Sequence, residues 1–485
     1  MPFRRRIETT LQQQFPRNTE MVLIHKEVSM TTNLSVTTKK YIGPQIPSLF
    51  EYLLKIRHGD PPDLLYKLAQ EYGEVVHLSV GKRPVFFVSS SKGVEHILQS
   101  NQHNYRGFNY SHVQLRPLLG NGLLTSDGET WLKHRRLAQQ AFHKDQLEKL
   151  SKLVVITIHN FLEQWEIRVG AHATLDIGRE MGLMTLGVVS ESLFGTKMGE
   201  RAARVRDAWP LVMEHLVGRM VSPLRLPEQL PTRGNRQYQK SLGLLNEAIF
   251  TLISENRAAA QDDENLLGML IAARDHKLDV QLDDQELRDE VMTIFLAGHE
   301  TCANALTWTF YLLARHPEIQ ERLAGEAATV LAGREPGYAD LPQLPYAAMV
   351  FNEALRMYPP AWIMARDVLQ DDEIEGWRIP AGSLIFLSPY VTQRLEKYWD
   401  DPLTFNPLRF SLEQPVERPH FAYFPFGGGQ RQCLGKNFAL VEAQLALPML
   451  VQKYRFSLQE TSQDLPHPTY NMRPQKPILL KLERR

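Results

Sequence analysis

The stretch Phe426-Gly427-Gly428-Gly429-Gln430-Arg431-Gln432-Cys433-Leu434-Gly435 constrains this chain more than any other. It delivers one cysteine to the start of a segment, Asn437 to Leu445, that reads as an apolar helix. Cys433 is one of only two cysteines in 485 residues, so no disulfide framework organises the fold. With no second cysteine or CxxC nearby, the loop cannot build a zinc site or an iron–sulfur cluster. What it can offer is one thiolate. The three successive glycines let the main chain wrap a sulfur and turn N–H groups toward it. The following helix brings the positive end of its dipole close.

Gly435 has no side chain, so a flat, bulky partner can lie against the backbone there, and Arg431 supplies a fixed cation for an anionic group on that partner. A lone thiolate, a close flat approach and an anion-binding arginine together describe the proximal side of haem. The pattern F-x-x-G-x-R-x-C-x-G resembles the haem-binding signature of the cytochrome P-450 superfamily, and Phe426, Gly429, Arg431, Cys433 and Gly435 occupy its five fixed positions. At about one in twenty per position, five coincide by chance in a chain of this length on the order of one time in ten thousand. The competing reading is a buried structural cysteine beside a glycine turn, and the motifs below weigh against it. The resemblance implies Cys433 as iron ligand to haem b, held without covalent linkage because no CxxCH is present.

Length alone suggests two or three domains, yet Gly and Pro are scattered and no Ser/Gly run, repeat or low-complexity tract divides the chain. The expectation is one large domain over 43–485, mainly α with small β-sheets, preceded by a poorly ordered extension over 1–42; Met30 is an alternative start. Lys+Arg and Asp+Glu both total 55, which gives no sign of a nucleic-acid partner. Cysteine scarcity fits a reducing, cytoplasmic setting. No window approaches 18 uninterrupted apolar residues, so no membrane span is expected. Arg4, Arg5 and Arg6 lack an apolar stretch behind them, unlike a secretory signal, and Glu8 and Glu20 argue against a transit peptide.

Asp60-Pro61-Pro62-Asp63 opens a helix that stops at Gly73, and Val75–Val80 and Val85–Val88 flank a turn as a β-hairpin. Asn101 to Asn121 is aperiodic; the resemblance makes it the variable loop over the distal face. Ser126-Asp127-Gly128-Glu129 reads as a capping box. In the helix it starts, Trp131 and Arg135 share a face. Alone this is a solvated basic helix; in the run Trp131 to Arg136 it looks like the family's W-x-x-x-R, which contacts a haem propionate. Pro223, Pro227 and Pro231 suggest a lid between two helices.

Asp283-Asp284-Gln285-Glu286 caps a helix of some thirty residues, long enough at about 1.5 Å per residue to cross the molecule. Midway, Ala297-Gly298-His299-Glu300-Thr301 places small residues at 297 and 298, leaving room for a ligand. A hydroxyl and a carboxylate beside it can relay protons. As an isolated string this is ordinary helix content; with the thiolate loop it resembles the family's A-G-x-[DE]-T. His299 is expected to point elsewhere, and Cys302 to be a buried small hydrophobe. Glu353-Ala354-Leu355-Arg356 and Pro407-Leu408-Arg409-Phe410 resemble the family's E-x-x-R and P-x-R-F, which imply a buried Glu353–Arg356–Arg409 network. Arg366 lies where relatives place a second propionate contact. Ile294, Phe295, Trp362 and Ile363 are expected on the pocket wall.

The resemblance implies a monomeric haem-thiolate monooxygenase. Such an enzyme takes O2, two electrons from a ferredoxin or flavodoxin with its reductase, and a lipophilic substrate, here a fatty acid or terpenoid, with Thr301 and Glu300 supplying protons. No GxGxxG, flavodoxin-like or ferredoxin-like segment is seen, hence the separate donor. The alternatives are a peroxide-driven peroxygenase or isomerase, a non-catalytic haem sensor or electron carrier, and, most remote, a cysteine hydrolase with no His oriented as base.

Overall fold

The computed structural model describes residues 61–485 apart from 81–82, 108–114, 170–171, 196–207, 210, 217, 219–229, 259–264, 275–279, 414–416, 460–465 and 469–470. The expected extension over 1–42 and the lid prolines Pro223 and Pro227 lie outside the described residues. Helix α1 (Pro61–Tyr72) forms as expected and stops at Gly73, where a φ of +95° suits glycine. Strands β1 (Val75–Val80) and β2 (Arg83–Val88) pair antiparallel, as read from the sequence. With β3 (Tyr105–Gly107), β4 (Met364–Val368) and β5 (Leu384–Leu387) they make a five-stranded sheet in the order β1-β2-β5-β4-β3. Only β2 and β5 run parallel. Register sets Arg366 opposite Ile385 on one side and Gly107 on the other.

The helices that carry the main core are α2 (Gly128–Gln140), α3 (Lys144–Val169), α4 (Ile177–Phe194), α5 (Asp284–Arg315), α6 (Pro345–Met357) and α7 (Lys436–Lys453). Trp165, Leu193, Trp308, Phe310, Ala347 and Leu445 meet there with almost no surface left in water. Truncating one such leucine to alanine costs about 2–5 kcal/mol. The fold is mainly α with small sheets, and no described helix is long and apolar enough to cross a membrane.

Helix α5 forms the axis. Its start is the capping box expected: Asp283 Oδ1 accepts from the Glu286 N–H at 2.8 Å while Glu286 Oε2 accepts from the Asp283 N–H at 3.0 Å. Its 32 residues rise about 48 Å at about 1.5 Å each. Most of the helix is buried on every side, so its sequence shows no simple two-faced pattern.

Two local expectations fail. No capping box forms over 126–129: α2 starts at Gly128, Asp127 stands at the N-cap without a side-chain cap bond, and the Ser126 hydroxyl is buried without a partner. The helix begins one residue later than the box requires, which moves Ser126 out of the N-cap, and the Asp127 carboxylate that takes that place is ion-paired to Arg431 at 2.5 Å. The stretch expected as an aperiodic loop from Asn101 to Asn121 is regular at its start, and its residues 108–114 lie outside the described residues. Residues 102–104 form a short helical turn against the thiolate loop, and 105–107 join the sheet as β3.

Candidate active site

Residues 424–435 fold back on themselves. The Gly427 N–H donates to Phe424 O and the Cys433 N–H to Phe426 O, each at 2.9 Å, and the Gln432 N–H donates to Gly429 O at 3.1 Å. Gly427 and Gly429 sit at φ +69° and +66°, the left-handed region closed to most side chains. Phe426 packs its ring on the main core. Burial pushes the Cys433 thiol pKa up, while N–H groups of Gly435 and Lys436 hydrogen-bonded to the sulfur, and the Arg135 charge, pull it down. Despite that desolvation the side chain is accessible. A thiol that is accessible although the protein around it desolvates it lies in a recess. A Cβ added at Gly435 would meet nothing within 4 Å, so the backbone beside the sulfur is open to a flat group.

Midway along, α5 changes character. Ala297 is exposed and Thr301 half-buried in a helix otherwise packed on most sides, and the Thr301 hydroxyl donates to Ala297 O at 2.6 Å. The intervening residues turn away. Gly298 packs against Val189 of α4, so the room for a ligand comes from Ala297 alone. His299 pairs with Gly182 O at 3.1 Å, and burial lowers its pKa to about 4, which keeps it neutral, and it points elsewhere, as expected. Burial raises the Glu300 carboxyl pKa, against the opposing Arg473 charge and a hydrogen bond with Asn471. Cys302 is buried.

Trp131, Arg135, Arg366 and Arg431 converge on the same loop. Arg135 Nη1 donates to Gln432 O at 2.9 Å. Arg431 lies 4.5 Å over the Trp131 ring and donates to Asp127. Arg366 is different: half-buried and desolvated by its surroundings, it donates to Ala365 O at 2.9 Å, and no carboxylate among the described residues pairs with it. Burial, then the nearby Arg431 charge, pushes its pKa down to about 10. A desolvated cation with a second cation beside it and no anion is costly unless an anionic ligand completes it. The thiol in its recess, the bare backbone at Gly435 and the unpaired Arg366 fit a flat cofactor with acidic substituents.

Residues 43–482 match the sequence model of the family described as Cytochrome P-450. The chain belongs to the cytochrome P-450 family. It is 36% identical over 386 residues to cyclooctatin synthase of Streptomyces melanosporofaciens, covering 79% of this chain and 83% of that protein. It is 34% identical over 389 residues to pentalenene oxygenase of Streptomyces avermitilis, covering 80% and 85%. Among solved structures, the cytochrome P-450DA haem domain superposes with a TM-score of 0.82 at 26% identity, covering 91% of this chain and 97% of the other. This cytochrome P-450 is a haem-dependent monooxygenase, an oxidoreductase.

The cytochrome P-450 carries the expected charge network intact. Arg356 donates to both oxygens of Glu353, at 2.7 and 2.8 Å, and Arg409 Nε lies 3.3 Å from Glu353 Oε1. Arg356 also donates to the carbonyls of Gln393, Pro402 and Thr404, fastening to α6 the segment that leads to the thiolate loop. By contrast, Phe295 packs on Trp209 at 4.6 Å and Trp362 belongs to a satellite core, so neither faces open space.

Sequence reasoning missed three features of this cytochrome P-450. His134 pairs with Glu290 at 2.6 Å and Lys133 with Glu286 at 2.6 Å, tying α2 to α5; a carboxylate one turn apart on α5 for each base was the available signal. Glu442 of α7 is buried, is hydrogen-bonded to the Cys302 thiol, and leaves Oε1 without a partner; burial raises its pKa to about 8. Gln102 accepts from the Gln430 N–H at 2.8 Å, a contact across 328 residues that nothing local announces.

Proposed function

We propose that this cytochrome P-450 binds haem b through Cys433 and hydroxylates a terpenoid, with two electrons from a ferredoxin or flavodoxin and its reductase, as a cytoplasmic monomer. The observation that carries the reading is the accessible Cys433 thiol within a desolvated recess, ringed by Arg135, Arg366 and Arg431. Bound haem supplies reductive activation of O2 and insertion of one oxygen atom into a substrate C–H bond. The chain supplies the rest. Gly435 and Lys436 N–H groups, hydrogen-bonded to the sulfur, offset part of the burial that disfavours its anionic form. Arg366, lacking a carboxylate partner, takes a propionate, with Arg135 and Arg431 alongside.

On the opposite wall, Ala297 leaves space and the Thr301 hydroxyl is the polar group that faces it. Releasing its bond to Ala297 O lets Thr301 pass a proton inward. Glu300, held by Asn471, replenishes that proton from behind. Terpenoid oxygenases at 34–36% identity favour a terpenoid over a fatty acid.

Two measurements test this. Reduced under carbon monoxide, the protein should show a strongly red-shifted Soret band that Cys433→Ser abolishes; folded wild-type protein that takes up no porphyrin overturns the reading. Titration with polycyclic terpenoids should shift the ferric spin state from low to high. A shift with fatty acids and none with terpenoids overturns the substrate class alone.

A further inference from the structure

The segment before β3 is built unusually. Ser91–Glu95 is α-helical, but His96–Ser100 widens into a π-helical turn closed by the Asn101 N–H donating to His96 O at 2.8 Å. Such turns are rare and persist where something fixes them. Here the fixture is Asp372, whose Oδ2 accepts from Asn101 Nδ2 at 2.8 Å and from the Tyr105 hydroxyl, and pairs with His96 Nε2 at 2.8 Å. Asn104 adds a second tether: its Oδ1 accepts from the Gln370 N–H at 2.8 Å and its Nδ2 donates to Gln370 O at 3.1 Å.

The tethered segment presses on the thiolate loop. A Cβ at Gly429 would overlap the Leu98 carbonyl oxygen, so close packing as well as a positive φ demands glycine there. Four residues beyond Leu98, Gln102 Oε1 accepts the Gln430 N–H at 2.8 Å. Gln430 is the middle residue of the turn Gly429–Arg431, closed by the Gln432 N–H donating to Gly429 O at 3.1 Å. The orientation of that turn sets where Arg431 and Cys433 emerge.

We infer that Gln102 is a positioning residue for the Cys433 thiolate, with the Asp372-braced π turn as its base. The geometry is a clamp from outside the loop: Leu98 blocks the loop from moving one way, and Gln102 holds its N–H from moving the other. Neither touches the haem or the sulfur. Their effect is to keep the thiolate on the iron when the loop is perturbed by heat, pressure or a docking protein.

The inference rests on Cys433 as the haem ligand, and the test separates the two. Gln102→Met keeps the side chain's bulk but removes the acceptor; Gln102→Glu keeps an acceptor. In full-length, haem-loaded protein reduced under carbon monoxide, the red-shifted Soret band is followed during warming below the unfolding transition. Gln102→Met should lose the band about fivefold faster than wild type, the size of effect one net hydrogen bond carries. Gln102→Glu should stay near wild type, and the circular-dichroism melting midpoint should be the same for all three. Equal rates for wild type and Gln102→Met, or equal impairment of both variants, overturn the inference. Absence of the band in wild type overturns the ligand reading beneath it. Asp372→Asn, which weakens the base of the clamp, should change the rate in the same direction as Gln102→Met; a wild-type rate there overturns the bracing role.

Discussion

The loop that carries Cys433 and the middle of α5 are built in opposite ways. The loop is held from many distant places: Gln102 takes one of its N–H groups, Arg135 one of its carbonyls, Asp127 its arginine, and Leu98 stands against Gly429. The α5 wall is held by its own helix. The Thr301 hydroxyl bonds to Ala297 O one turn back, Ala297 itself is exposed, and Gly298, His299 and Glu300 turn to α4 and to Asn471. The contrast follows from the two tasks. On the proposed reading, a metal ligand needs one fixed geometry, whereas a wall that admits substrate, oxygen and protons must keep its reactive groups away from the space except for one hydroxyl.

The contrast is broken most severely at the support of the loop. Glu353→Gln leaves Arg356 and Arg409 buried without their anion and should cost about 3–5 kcal/mol, read as a lower urea midpoint; a loss under about 1 kcal/mol contradicts a supporting role. Arg366→Met splits the two states of the loop side. Haem should dissociate about tenfold faster for want of a charge-assisted bond, while the haem-free protein gains stability because an unpaired desolvated charge is gone. A less stable haem-free variant shows that Arg366 has an internal anion after all.

On the α5 side, Thr301→Ala should leave the carbon monoxide band and haem retention untouched. Product formed per O2 consumed should fall severalfold as oxygen is diverted to peroxide. Unchanged coupling removes Thr301 from the proton path.

The two regions meet where Glu442 of α7 is hydrogen-bonded to Cys302 of α5. The Glu442 pKa, raised to about 8 by burial, exceeds its unfolded value near about 4.3, so the fold prefers the protonated acid. Its contribution is full below pH of about 4.3 and is lost progressively as pH rises to about 8. Glu442→Gln should therefore flatten this fall in stability between those limits; an unchanged slope in urea titrations shows that Glu442 is charged already.

Much of this was legible in the sequence because it is written at short spacing: the loop from Phe426 to Gly435, Glu353 with Arg356, the cap at Asp283. Competition and long-range contact hid the rest. Asp127 carries the right residues for a cap and is taken by Arg431. Ala297 and Gly298 look equivalent, yet the step of about 100° between successive helical residues leaves Ala297 exposed and sets Gly298 against Val189. Asn101 to Gly107 has no periodicity because its partners, Asp372 and Gln430, lie roughly 270 and 330 residues away.

The loop that carries residue 433 draws its supports from distant parts of the chain, from Leu98 and Gln102 to Arg135. Contacts of such sequence separation form late, after loop closure has been met many times over. During synthesis residue 433 must leave the ribosome before these supports, made hundreds of residues earlier, can close on it. On the proposed reading, haem capture is therefore a late event, completed once those distant supports have closed on the loop.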